Sequence, residues 1–208
     1  MTNFTRFGLN FSANMLADAC QKTIEEFIED YLAEYERQNG LDPRTIPVIK
    51  TYTQVNEFRD WAGDETPVCV IVSPGMNGKP KKKGGGEYTG EFVLGVAIIV
   101  QSRNREATNK TARAYGAVLR QLLVQQPGLQ GVTSGLTWED EKYNDVPEKE
   151  DRAQASAQVL FTVEVPGIVD SRKGIMAPSP DPYELDPEVP LAEDVSVTIN
   201  DEKREVGP

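Results

Sequence analysis

The residues that could do chemistry in this 208-residue chain are few, and most of the usual reagents are missing. It has no His and two Cys, Cys20 and Cys69. Without His there is no Ser-His-Asp or Cys-His machinery, no imidazole base and no His-ligated zinc. Two distant Cys make neither a zinc site nor a CxxC redox pair, and their plainest role is as small buried apolar residues. Three patterns remain. Asp140-Glu141-Lys142 resembles half of a two-metal nuclease site, which needs a further carboxylate on an adjacent strand. Asp64 is the nearest offer, in a loop. Gly78-Lys79 fails as a phosphate-binding loop: Ser73 stands where the first Gly belongs, and Pro80 where a Ser/Thr should meet the metal. Lys79, Lys81, Lys82 and Lys83 lie among glycines, as a basic loop tip that could touch nucleic acid or an acidic partner, or simply be solvated. No cofactor or metal is implied, and the expectation is a non-enzyme.

Charge and composition agree with that reading. The chain has 22 Lys+Arg and 33 Asp+Glu, a net charge of −11. An acidic chain is a poor prior for wrapping nucleic acid. No run of 18 apolar residues exists, so no membrane partner is expected. The first residues do not read as a secretion signal. A protein made in a reducing cytoplasm is the expectation.

The chain divides into a folded body, residues 1–166, and an arm, residues 167–208. The arm has ten acidic and four basic residues and six of the 14 prolines. Proline removes backbone donors and bars the preceding residue from the helical region, so the arm is expected to be extended. Val195, Val197 and Ile199 alternate within it, a short strand suited to the sheet edge of a neighbour.

The body opens with apolar residues at spacings of three and four from Leu16 to Tyr35, predicting a helix over about 13–38 with Asn39-Gly40 as its cap. At ~1.5 Å per residue it would be about 39 Å long. Its other face carries Glu25, Glu26, Glu29, Asp30, Glu34 and Glu36, read as a solvated stripe or a partner surface. Strands are expected at 68–72 and 92–100. The second is apolar on both faces, hence central or covered by another subunit. Ser73 to Gly86 reads as a loop. A second helix spans about 105–126 with Thr108, Ala112, Tyr115, Val118, Leu119 and Leu122 inward. A strand follows in which Val132, Ser134, Leu136 and Trp138 share a face. The acidic turn 139–151, with Glu139, Asp140 and Glu141, leads to a last strand over 152–165. The expected fold is α+β in the order α-β-β-α-β-β: a mostly antiparallel four-stranded sheet, two main helices on one side, and an extended C-terminal arm. Two helices leave part of the sheet for other chains.

This layout resembles the tail terminator, or tail-to-head joining, proteins of long non-contractile-tailed bacteriophages. The resemblance covers about residues 13–166. It rests on the N-terminal amphipathic helix, on TPVCVIV before GEFVLGVAIIVQS, on NREATNKTARAYGAVLRQLL directly after it, and on GVTSGLTWED with RAQASAQVLFTVEVPG. It is a pattern of elements, with no catalytic signature, and the arm lies outside it. It implies a virion structural protein whose ring, typically six-fold, caps the tail tube, stops its polymerisation and offers a face to the head connector. The partners would be further copies of the chain, the tail tube protein and the head–tail connector. Genomic DNA would pass through the lumen without specific binding, kept loose by carboxylates of Glu139-Asp140-Glu141 or of the first helix. Its location would be the head–tail junction of the virion, after assembly in the host cytoplasm. The rival readings are a head-closure or connector ring and a monomeric adaptor whose acidic arm binds a basic partner.

Overall fold

In a computed structural model, residues 11–54, 65–149 and 152–171 are described. All lie in the first of two units into which the chain divides, Met1–Ile175. Asp64 and the arm with Val195, Val197 and Ile199 fall outside the described residues.

The first helix, α1, spans Ala13–Gln38. Gly40, at φ +64°, closes it: Leu41 N–H donates to Glu36 O at 2.9 Å and Gly40 N–H to Arg37 O at 3.4 Å. This is a Schellman closure, which a residue without Cβ accepts at low cost. Leu16, Cys20, Ile24, Ile28 and Leu32 are buried along one stripe, while Phe27, Tyr31 and Tyr35 flank it. Glu36 departs from the expected solvated stripe. It is buried, and its carboxylate accepts from Arg44 N–H at 2.9 Å and Ile46 N–H at 2.7 Å, tying the following turn to the helix end. Two charge-assisted bonds offset the desolvation of that carboxylate.

Among the described residues the sheet has six strands rather than four, and it is mixed, with one parallel pair in an otherwise antiparallel ladder. They are β1 (Thr51–Thr53), β2 (Val68–Met76), β3 (Lys81–Lys82), β4 (Glu87–Ser102), β5 (Gly135–Lys149) and β6 (Arg152–Asp170). The order is β1-β2-β4-β6-β5, with β3 beside β4. Only β1 runs parallel to its neighbour, β2. Thr-Tyr-Thr and Lys-Lys are too short to show an alternation, which is why neither reads as a strand from sequence. The expected loop 73–86 is therefore shorter. Strand β2 continues past Pro74, through a register shift between Val72 and Gly75. Beyond Thr53 no described strand covers that side of β2, so a proline costs the ladder little there.

β4 is central, one of the two places expected for a strand apolar on both faces. Helix α2, Arg105–Gln125, follows it, with Asn104 Oδ1 accepting Ala107 N–H at 3.0 Å as the N-cap. Both helices cover the same face of the sheet. There Cys69, Ile71, Leu94, Val96, Ile98, Val159, Phe161 and Val163 pack against the inner stripes of α1 and α2. The opposite face carries a smaller apolar group, Val68 and Val70 with half-buried Val72, Ala97 and Ile99. Leu160, the apolar exception on the polar side of β6, lies half-buried on this face.

β5 and β6 are longer than expected. The acidic stretch 139–149 is strand, not turn, and it pairs with β6 back to Lys149↔Arg152. The 132–134 segment precedes β5 instead of opening it. β6 runs on past Val165 to Asp170. Pro166, Gly167 (φ +66°) and Ile168 bulge opposite the single Thr89 before pairing resumes at Tyr88↔Val169. A bulge absorbs residues that cannot donate or that need positive φ, and the strand continues beyond it.

Cys20 and Cys69 are buried free thiols, one on α1 and one on β2. Burial pushes both thiols well above their ordinary range. Both should resist Ellman's reagent in the native protein and react in step with global unfolding. Rapid labelling of either thiol without unfolding would contradict this packing.

Candidate interaction surfaces

The lysine-rich loop is more committed than its sequence suggests. Register places Glu91 of β4 directly opposite Glu164 of β6, a like-charge pair that would cost stability alone. Lys81 pairs with Glu91, and Lys83 Nζ lies 3.2 Å from Glu164. Lys82 sits over the Tyr88 ring at 5.9 Å. Lys79 is exposed, with no ion pair among the described residues. Two of the four cations thus offset intramolecular carboxylates, and their exposed pairs contribute little net energy.

The triplet Glu139-Asp140-Glu141 is split by a bulge. Trp138 pairs with Phe161 and Asp140 with Leu160, so Glu139 is the extra residue. One inserted residue reverses the alternation that follows. Trp138 and Glu141 consequently both face the helix side, whereas Asp140 and Lys142 turn to the other face. There Lys142 Nζ lies 2.8 Å from Asp140 and holds its carboxyl below the usual range. Glu139 is exposed. Asp140 and Glu141 therefore point to opposite sides of the strand. Among the described residues no cluster of three or more His, Cys, Asp or Glu is placed to hold a metal.

Sequence reasoning missed the more developed surface, where α2 lies along edge strand β5. Glu141, with a side chain 8% exposed, pairs with Arg120 of α2 and accepts the Tyr143 hydroxyl. The Arg120 guanidinium also stacks over the Trp138 ring at 5.0 Å, and Arg113 over the Tyr143 ring at 5.4 Å. Gly116 makes room for this. A Cβ there would stand 3.0 Å from the Tyr143 hydroxyl and 3.1 Å from the Glu141 carboxylate. Trp138 and Tyr143 remain 46% and 40% exposed. Tryptophan, tyrosine and arginine are the side chains that most often anchor protein contacts. The available signal was Arg113 and Arg120, seven apart on one stripe outside the apolar face of α2.

Burial, and then the bond to Glu141, pushes the Tyr143 phenol up to about 12. Tyr52 and Tyr115 are raised as well, chiefly by burial. A free phenol titrates near about 10. A raised folded value favours the protonated form, so this stabilisation is complete below the unfolded value and is lost as pH rises through about 12. In an alkaline absorbance titration, Tyr143→Phe should remove one phenol from the late class. Loss from the ordinary class would refute the Tyr143–Glu141 contact.

A cleft of about 350 Å³ lies between α1 and the turn after α2, lined by Glu26, Phe27, Pro127 and Leu129 among others. Its one carboxylate, Glu26, is already bonded to Gln130 at 2.7 Å, and no set of reactive groups converges on it. No helix among the described residues is long and apolar enough to cross a membrane.

No family model matches the chain, and no curated protein matches it. Among solved structures it is similar to a chain described as "Virion of native gene transfer agent (GTA) particle", with 17% identity and a TM-score of 0.38, covering 64% of this chain and 92% of that one. A likeness that low assigns no function.

Proposed function

We propose that this chain is a structural virion protein of the tail terminator kind, which closes into a ring on the tail tube, ends its polymerisation and offers a surface for head attachment. The observation that carries the reading is the subunit's unfinished sheet. Among the described residues two helices cover one face, and no helix covers the other, where Val72, Ala97 and Ile99 stay half-buried beside buried Val68 and Val70. β1 and β5 stand at open edges among the described residues. Assembly with neighbours is a direct way to cover such edges, and ring closure is a common one. The order of α1, β2, β4, α2, β5 and β6 also fits the sequence resemblance.

The charge distribution refines the expected lumen. Glu141 is turned inward onto Arg120, and Asp140 is paired with Lys142. If DNA passes a carboxylate-lined channel, Glu139 and the outer carboxylates of α1 are the groups left to line it. The basic loop keeps two cations, Lys79 and Lys82, without a carboxylate partner among the described residues, few enough for passage without gripping.

The test is a particle assembled without this protein. Overlong tails are expected. Tails of normal length that fail to join filled heads would instead identify a connector ring. Wild-type particles in both respects would refute a structural role at this junction.

A further inference from the structure

The two flanks of the subunit differ in chemistry, and they lie at opposite ends of the sheet. On the β1 side stands an acidic stripe of α1. Asp18, Glu25 and Glu29 recur at seven and four residues, which places them on one line of the helix. Gln54, just after β1, donates to Asp18 Oδ1 at 2.6 Å, fixing that line above the β1 edge. Tyr52 of β1 feels the carboxylates of Glu25 and Glu29. Lys22 shares the stripe, which remains net acidic.

On the β5 side stands the aromatic and arginine surface of α2 and β5. Its inner charge is already neutralised, since Arg120 is paired with Glu141. Lys110 is likewise paired with Glu106 at 2.7 Å. Arg113 keeps its charge, exposed over Tyr143, with no carboxylate partner among the described residues. Exposed Val124, Trp138 and Tyr143 lie along the same flank. A surface whose inner charges are self-paired can lose water cheaply, while one free cation sets orientation.

We infer that the α2–β5 flank docks against the acidic α1 stripe of a second copy of this chain, with Arg113 facing Glu25 and Glu29 and with Trp138 and Tyr143 as the buried anchors. The contact joins unlike patches at opposite edges of one sheet. It is heterologous and leaves each copy with one unused flank, so it repeats from copy to copy and forms a ring when the rotation between copies closes. The inference rests on the ring reading above and adds to it the two surfaces that meet.

The experiment is sedimentation velocity of the full chain over a range of concentration and salt, with three variants: Arg113→Glu, Glu29→Arg and the two combined. Both residues are exposed and on different helices, and thermal melts confirm that each variant folds. The wild type is expected to self-associate, less so at high salt, where screening shortens the reach of exposed charges. Each single reversal should weaken association at least about tenfold, and the combined swap should restore much of it. An oligomer indifferent to both reversals would overturn this interface and leave a ring possible. Loss without restoration would overturn the pairing of these two flanks. A monomer under every condition would overturn self-docking. The tail-length outcome is read on particles, so the capping role stands or falls separately.

Discussion

Phe161→Ala should be the most destabilising single truncation in the sheet, at about 3–5 kcal/mol. Phe161 is fully buried beneath α2, paired across the ladder with Leu94 on one side and Trp138 on the other. Removing the ring loses its transfer energy and leaves a cavity bordered by two neighbouring strands and a helix. At roughly 2–4 °C per kcal/mol for a domain of this size, the melting temperature should fall by about 10 °C. Leu160→Ala is the matched control. It sits one residue earlier, on the opposite face, and only half-buried. It should cost about 1 kcal/mol in the isolated subunit. Equal losses at the two positions, by chemical denaturation, would mean the second face is as covered as the first.

Arg120→Ala should cost roughly 2–3 kcal/mol, an unusual sum for a residue at the surface. Its guanidinium is the ionic partner of a nearly buried carboxylate and the lid over an indole face. A buried pair of this kind need not stabilise against an apolar replacement of both partners. Breaking it from one side strands Glu141 with the Tyr143 hydroxyl alone. The side chain of Arg120 is 36% exposed, so water relieves part of that cost. The double variant Arg120→Ala with Glu141→Ala should therefore be more stable than the sum of the two singles by about 1–2 kcal/mol. Strict additivity would show that the pair is a surface contact without coupling. Because Arg120 serves the subunit's own fold, Arg113 is the cleaner probe of docking.

Much of the architecture was legible because periodicity carries it. Both helices appear where spacings of three and four place them, with ends set by Asn39-Gly40, Asn104 and Pro127. An apolar residue at nearly every position marked β4 as covered on both faces, and the strand order shows it to be central. The alternation in β6 from Ala153 to Val165 names its inner face correctly. What was not legible is short or interrupted. β1 and β3 have three and two residues, too few to establish a period. Pro74, Pro147 and Pro166 look like strand ends, yet each falls within a strand of the observed sheet. Proline excludes a central, fully laddered position, but not an edge or a bulge. Glu36 looked like one more surface carboxylate, and only the chain folding back from the helix end brings two backbone donors to it.

The sequence by itself determined the class of the protein and much of what it lacks: an α+β body, an acidic surplus, and no imidazole for catalysis or metal binding. Those follow from composition and period, which are local properties. The tertiary structure decided which side chains form a surface. The Glu139 bulge turns Glu141 toward α2 and Asp140 away from it, and strand register sets Glu91 against Glu164 for Lys81 and Lys83 to neutralise. Side chains alternate with a period of two, so one inserted residue reverses every assignment after it. Nothing in the local sequence announces that insertion, because only pairing with β6 creates it.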